Sequence, residues 1–135
     1  MSEFVLDASA MLACLNGETG GDEVARLTSE ERCLATAVNW AEVLSKLMEW
    51  GMSSAEAFEA ASSLSIEVVA FDAGLARRCA ELRPLTRAQG LSLGDRACLA
   101  LAERLRVPVL TADRPGLELA GPLNLEIRCI RPETN

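Results

Sequence analysis

Short apolar runs, each followed by a segment of helical spacing, constrain this chain more than any other feature. Glu3–Leu6 (EFVL), Cys33–Thr36 (CLAT), Ile66–Phe71 (IEVVAF) and Val107–Leu110 (VPVL) have the length and apolar content of buried strands. Pro108 is tolerable near the start of the last run. Between them, apolar residues recur at three- and four-residue intervals over Ala8–Asn16, Asp22–Glu31 and Val38–Trp50. Similar spacing runs from Ser53 to about Leu64, from Asp72 to about Leu82, and over Leu91–Arg106. The punctuation agrees. Gly17 and the Gly20-Gly21 pair break the chain, Gly51 stops a helix, and Pro84 and Gly90 mark a loop. Ser53 with Glu56, and Ser92 with Asp95, have capping-box spacing. A short helix around Pro115–Leu119 and an edge strand over Glu126–Ile130 close the chain. Alternation of this kind predicts a three-layer α/β/α fold, with a central, mainly parallel sheet of about five strands and right-handed crossovers. The 135 residues suffice for one domain, taken as 1–135.

The chain has no histidine. That excludes Ser-His-Asp and Cys-His catalysis, histidine acid–base ribonucleases and H-E-x-x-H zinc sites. An enzyme built this way must rely on carboxylates, and carboxylates work best by holding hard cations such as Mg²⁺ or Mn²⁺. The five cysteines are scattered, with no C-x-x-C pair, and read as buried free thiols of a reducing compartment. No apolar run is long enough to span a membrane, and Glu3 stands where a signal peptide carries positive charge. The expectation is a cytoplasmic protein without a membrane partner.

The net charge of −7 argues against a nucleic-acid partner, but the charge is uneven. Residues 1–71 carry −9 and residues 72–114 carry +3. Arg77, Arg78, Arg83, Arg87, Arg96, Arg104, Arg106 and Arg114 are therefore either a phosphate-attracting surface or ordinary solvated helix faces.

In an open parallel sheet, ligands sit beyond the carboxyl ends of the strands. Asp7 directly follows the first strand, and Asp113 follows the fourth through Thr111-Ala112. Asp95 lies in the first turn of the helix before that strand, and Glu42 lies within the Val38–Trp50 helix. Each has a plain structural role available. Asp7, Asp95 and Asp113 could cap helices, and Glu42 stands four residues before Lys46, an ordinary helical pair. Their joint placement points instead to one acidic cluster. Such carboxylates repel one another unless a divalent cation becomes the dominant local charge, and the chemistry of that arrangement is phosphodiester hydrolysis.

F-V-L-D-A-S-A (Phe4–Ala10), N-W-A-E-V (Asn39–Val43), L-S-L-G-D-R-A-C-L-A-L-A (Leu91–Ala102) and V-L-T-A-D-R (Val109–Arg114) resemble the PIN domain family. The resemblance is to its VapC branch, the toxins of toxin–antitoxin pairs. It covers nearly the whole chain, in order and at family-like spacing. It implies a PIN-like fold and endoribonuclease activity dependent on Mg²⁺ or Mn²⁺, with Asp7, Glu42, Asp95 and Asp113 as the catalytic, metal-binding acids. Ser9, Thr111 and Asn39 match positions that line the site, with capping or turn roles equally open. Arg114 follows the last acid and could contact phosphate or balance the cluster. The resemblance also implies an RNA substrate, a homodimer and a VapB-like antitoxin. The apolar helix pair around Leu44, Leu47, Met48, Met52, Ala57 and Phe58 would form the antitoxin groove, with core packing as its alternative. The chain departs from many relatives at Pro115–Leu119, which bears on the rim of the site rather than on the acids.

A haloacid-dehalogenase-type phosphatase also begins with a strand ending in Asp. It needs a second acid where this chain has Ser9, and both it and a receiver domain need a late lysine, whereas the one lysine is Lys46. The remaining alternative is a catalytically silent PIN fold that binds protein or RNA; the presence of all four acids speaks against it.

Overall fold

The computed structural model describes residues 2–132. Five strands form one sheet: β1 (Glu3–Leu6), β2 (Arg32–Thr36), β3 (Ile66–Val69), β4 (Val109–Thr111) and β5 (Ile127–Cys129). Their order is β3-β2-β1-β4-β5, and every pairing is parallel. Among the described residues seven helices connect them: α1 (Ala8–Leu15), α2 (Gly21–Glu30), α3 (Ala37–Glu49), α4 (Ser54–Ser62), α5 (Ala73–Leu85), α6 (Leu93–Leu105) and α7 (Ala120–Leu123). Short 3₁₀ turns cover Arg87–Gln89 and Pro115–Leu119.

The chain steps from β1 to β2 to β3 in one direction, then crosses back to place β4 on the other side of β1. With crossovers of one hand, reversing direction moves the connecting helices to the opposite face. Two cores result. Phe4 and Leu6 of β1 pack with Met11, Val24, Val43 and Leu47 under α1–α4. Val5 packs with Leu75, Leu82, Leu99 and Leu101 under α5 and α6. The alternation of Phe4, Val5 and Leu6 between the two faces is the two-residue period of a strand buried on both sides. No described helix is long and apolar enough to cross a membrane.

Several element ends differ from the sequence expectation. The third strand stops at Val69, short of Phe71. The fourth starts at Val109 rather than Val107; Pro108 lacks an N–H for the ladder but its carbonyl accepts from Val5 N–H at 2.9 Å. The fifth is shorter than Glu126–Ile130. Pro84, expected in a loop, sits inside the last turn of α5, where a missing N–H interrupts little of the helix that remains. Thr86 ends that helix by donating its hydroxyl to Leu82 C=O at 2.9 Å. α7, over Ala120–Leu123, lies between the short helix and the edge strand expected from the sequence and matches no expected element.

Leu6 is fully buried at the centre of the sheet. Leu6→Ala is expected to cost about 2–5 kcal/mol, read as a lowered urea midpoint. Glu67→Ala, which removes an exposed pair with Arg32 on the edge strand, is expected to cost under about 1 kcal/mol.

Candidate active site

β1 ends between β2 and β4, so the residue after it is enclosed from both sides. That residue is Asp7, only 6% exposed. The register pairs Leu6 with Leu110, and one step further brings Asp7 beside Thr111. Thr111 Oγ1 donates to Asp7 Oδ2. Ser9 Oγ donates to Oδ1 at 2.7 Å, and Ala10 N–H donates to the same oxygen at 2.9 Å, so Asp7 also caps α1. Ser9 in turn accepts from Ala112 N–H at 2.8 Å, which fixes the turn leading to Asp113. Thr111 Oγ1 accepts from Asp113 N–H at 3.0 Å.

Asp95 is brought in by α6. Its Oδ2 accepts from Ser92 N–H at 2.9 Å while Ser92 Oγ accepts from Asp95 N–H at 3.2 Å, the reciprocal capping box expected from the sequence. Among the described residues its other oxygen has no hydrogen-bond donor. Asp7, Asp95 and Asp113 each offer a carboxylate oxygen within 4.8 Å of the others. Asp7 is buried, Asp95 half-buried and Asp113 exposed, so the cluster runs from the sheet to solvent.

Glu42 lies beside this cluster rather than within it. The residue as a whole is exposed, but its carboxylate rests against Gly94: a Cβ at Gly94 would lie 1.5 Å from Glu42 Oε1. Asn39, one turn earlier on α3, holds the two helices at that spacing. Its Nδ2 donates to Gly94 C=O at 3.1 Å, and its Oδ1 accepts from Thr36 Oγ1 at 2.7 Å. The helical pair Glu42–Lys46 does not form; Lys46 approaches Glu49 at 3.7 Å. Gly94 and Thr36 were missed by sequence reasoning. The available signal was a glycine in the first turn of a helix, where it costs about 1 kcal/mol against alanine and so calls for a close approach to explain it.

The electrostatics follow from burial. Desolvation pushes the Asp7 carboxyl up to about 6, against three hydrogen bonds that lower it, and the charge of Asp113 adds to the rise. Glu42 is also raised, first by partial burial and then by the charges of Asp95 and Asp7. Cys98, at the floor of the cleft, is held well above the usual thiol range by burial and by the same acids. Among the described residues no Lys or Arg forms an ion pair with Asp7, Glu42, Asp95 or Asp113. Arg114 turns away, donating to the carbonyls of Arg131 at 3.1 Å and Pro132 at 2.8 Å. Much of the arginine-rich segment is also engaged elsewhere. Arg78 pairs with Glu103, Arg104 with Asp72 and Arg77 with Glu81. Arg96 is buried, donating to Cys79 C=O at 3.0 Å. Arg83, Arg87 and Arg106 have no ion-pair partner among the described residues.

An all-oxygen donor set, one member buried and none neutralised by a cation, fits a hard divalent ion. A family model for the PIN domain matches residues 4–119. The chain belongs to the PIN domain family. Curated proteins give no match. Solved structures do. This PIN domain is similar to VapBC2 from Rickettsia felis bound to a promoter DNA fragment, at 14% identity, TM-score 0.71, over 94% of this chain and 98% of that one. It is similar to VapBC-5 of Mycobacterium tuberculosis, a member of the VapBC toxin–antitoxin family, at 22% identity, TM-score 0.63, over 98% and 100%. It is also similar to VapC20 of Mycobacterium tuberculosis, a sarcin–ricin loop cleaving toxin, at 17% identity, TM-score 0.65, over 78% and 86%. At these identities the likeness is one of fold.

The second apolar feature of this PIN domain is the α3–α4 surface. Met48, Met52 and Phe58 are exposed, as is Trp50, and Leu44 is half-buried. Leu47 and Ala57 belong to the core, so they are not part of that surface.

Asp7 makes metal-free stability depend on pH. Below about pH 4 it is protonated in both states. As pH rises, the unfolded chain loses the proton first and folding weakens, levelling off above the folded value of about 6. The Asp7→Asn variant is therefore expected to gain stability over wild type as pH rises. The gain should be about 0.5 kcal/mol at pH 4 and roughly 3 kcal/mol at pH 7, measured by urea unfolding in EDTA.

Proposed function

We propose that this PIN domain is a metal-dependent endoribonuclease of the VapC toxin type, held inactive by a VapB-like antitoxin. The observation that carries the proposal is the convergence of Asp7, Asp95 and Asp113 within 4.8 Å without a neutralising cation. Asp7, Asp95 and Asp113 would hold Mg²⁺ or Mn²⁺, and Glu42 would complete the set from the α3 side. Such an ion supplies Lewis acidity and offsets the charge that develops on phosphate oxygens during hydrolysis of the backbone P–O bond.

The chain's own residues do the positioning. Thr111 and Ser9 donate to the two oxygens of Asp7 and fix the plane of its carboxylate. Ser92 N–H pins one oxygen of Asp95 and so orients its carboxylate. Asn39 keeps α3 against the start of α6, and thereby Glu42 beside Asp95. Partial burial and the neighbouring charges of Asp95 and Asp7 raise the Glu42 carboxyl, so a cation beside it relieves a cost already present. Arg114 acts on the shape of the rim through Arg131 and Pro132 rather than on the acids.

RNA as substrate is supported by the similarity to VapC20, whose described target is the sarcin–ricin loop. An antitoxin partner is supported by the VapBC complexes of the same fold and by the exposed Met48, Trp50, Met52 and Phe58, an apolar patch of the kind that marks an interface. A homodimer and a cytoplasmic location belong to the same reading.

Purified, antitoxin-free protein is expected to cleave total RNA with Mg²⁺ or Mn²⁺ and to stop in EDTA. Asp7→Asn should abolish cleavage. Thr111→Val, which removes a hydroxyl that orients Asp7, should lower it by about 10–100-fold. Equal rates for wild type and Asp7→Asn would overturn the assignment.

A further inference from the structure

The cleft that holds the acids extends beyond them. From Asp7, Asp95 and Asp113 it runs between the β4–β5 part of the sheet and the segment before α6, enclosing about 200 Å³ in all. Its uncharged lining residues form what we call the apolar arm. Leu91, Leu99, Val109 and Ile127 line it, with Gln89 and Gly116 beside them. An apolar arm of this kind repels phosphate. It suits a group with apolar faces and a hydrogen-bonding edge. The whole cleft, acids included, falls below the roughly 300–1,000 Å³ that enclose drug-sized ligands, so its apolar part has room for one ring system at most.

Gln89 gives the arm a polar reading head. Its Nε2 donates to Glu118 Oε2 at 3.3 Å. That bond fixes which end of the amide is which, because a carboxylate would repel Oε1 in the flipped orientation. Oε1 is then shut from solvent with no hydrogen-bond partner among the described residues. A buried acceptor without a donor is costly, and a donor from a ligand relieves it. Gln89 lines the cleft and the terminal torsion of glutamine is broad, so rotation can present Oε1 to a ligand there.

We propose that this arm is a subsite for one unstacked base of RNA flanking the scissile phosphate, with Gln89 Oε1 accepting a hydrogen bond from an amino group on the base edge. The inference rests on the nuclease reading above. Adenine, cytosine and guanine carry such an amino group. The ring N–H of uracil lies between two carbonyl oxygens, which face Gln89 Oε1 unfavourably. Unstacked bases read on their edges are the usual targets of sequence-selective RNA recognition. The acids set the position of the cut, and the arm sets which base lies beside it.

Two measurements test this. In the first, an RNA of random sequence is cleaved by wild-type protein with Mn²⁺ and the fragment ends are sequenced. One position adjoining the cut should be depleted of uracil by about 10-fold, and Gln89→Leu should bring that ratio to within about 2-fold of even. No base preference beside the cut, or the same preference in Gln89→Leu, would overturn the subsite. In the second, AMP, CMP, GMP and UMP are titrated into the Mg²⁺-loaded protein and followed by amide NMR. Shifts at Leu91 and Ile127, with UMP weaker by about 10-fold, support the subsite even if no RNA is cut, in which case only the nuclease reading falls. Equal affinity for all four, or shifts confined to the acids, overturns it. Gly116→Leu provides a second variant that keeps the fold, since a Cβ there meets nothing within 4 Å. It should weaken AMP binding while leaving the folded spectrum intact, and unchanged AMP binding would also count against the subsite.

Discussion

The rest of the site depends on one buried charge. Asp7 ends the central strand of the sheet, where β2 and β4 flank it and water is excluded. A carboxylate in that position is expensive unless donors surround it. Its donors come from separate elements: Ser9 and Ala10 from α1, and Thr111 from β4. The group that is costly to bury is therefore also the one that ties the first helix to the fourth strand. The same desolvation that raises its pKa makes a divalent cation its most effective partner.

The other acids reach Asp7 because of how the chain winds. Reversal of strand order around β1 opens a crevice at the carboxyl ends of β1 and β4, where an open α/β sheet holds its ligands. Asp113 arrives on the turn after β4, Asp95 on the first turn of α6, and Glu42 across the α3–α6 contact that Gly94 permits. Among the described residues no arginine pairs with these acids: Arg78 and Arg104 pair with other acids, Arg114 donates to backbone carbonyls, and Arg83, Arg87 and Arg106 form no ion pair. The acidic end of the crevice is left to a cation, and the apolar arm beyond it to a ligand of a different kind.

The sequence made the element sequence legible because buried strands must be short apolar runs and helices must repeat at 3.6 residues. It did not reveal strand order, since a run buried on both faces looks the same beside any neighbour. The ends moved where local chemistry is permissive. Pro84 fits the final turn of α5, and Pro108 delays the start of β4 without breaking its contact to β1. Within the site, Asp7, Asp95 and Asp113 were legible from their places at strand and helix ends, and the Ser92–Asp95 box was visible as spacing. The tuck of Glu42 against Gly94, the turning away of Arg114 and the burial of Arg96 were not. Those depend on side-chain direction across elements distant in sequence, which no local pattern encodes. The exposed Met48 and Phe58 could not be told from core residues such as Leu47 for the same reason.

The central claim is that the carboxylates around Asp7 form a cation site. The most direct test is equilibrium binding of Mn²⁺ to the folded protein, free of RNA and antitoxin, read by electron paramagnetic resonance of unbound Mn²⁺. Wild type should take up Mn²⁺ saturably. Asp7→Asn and Asp95→Asn, each shown to be folded, should bind at least about 10-fold more weakly. Undiminished Mn²⁺ binding by folded Asp7→Asn would contradict the account.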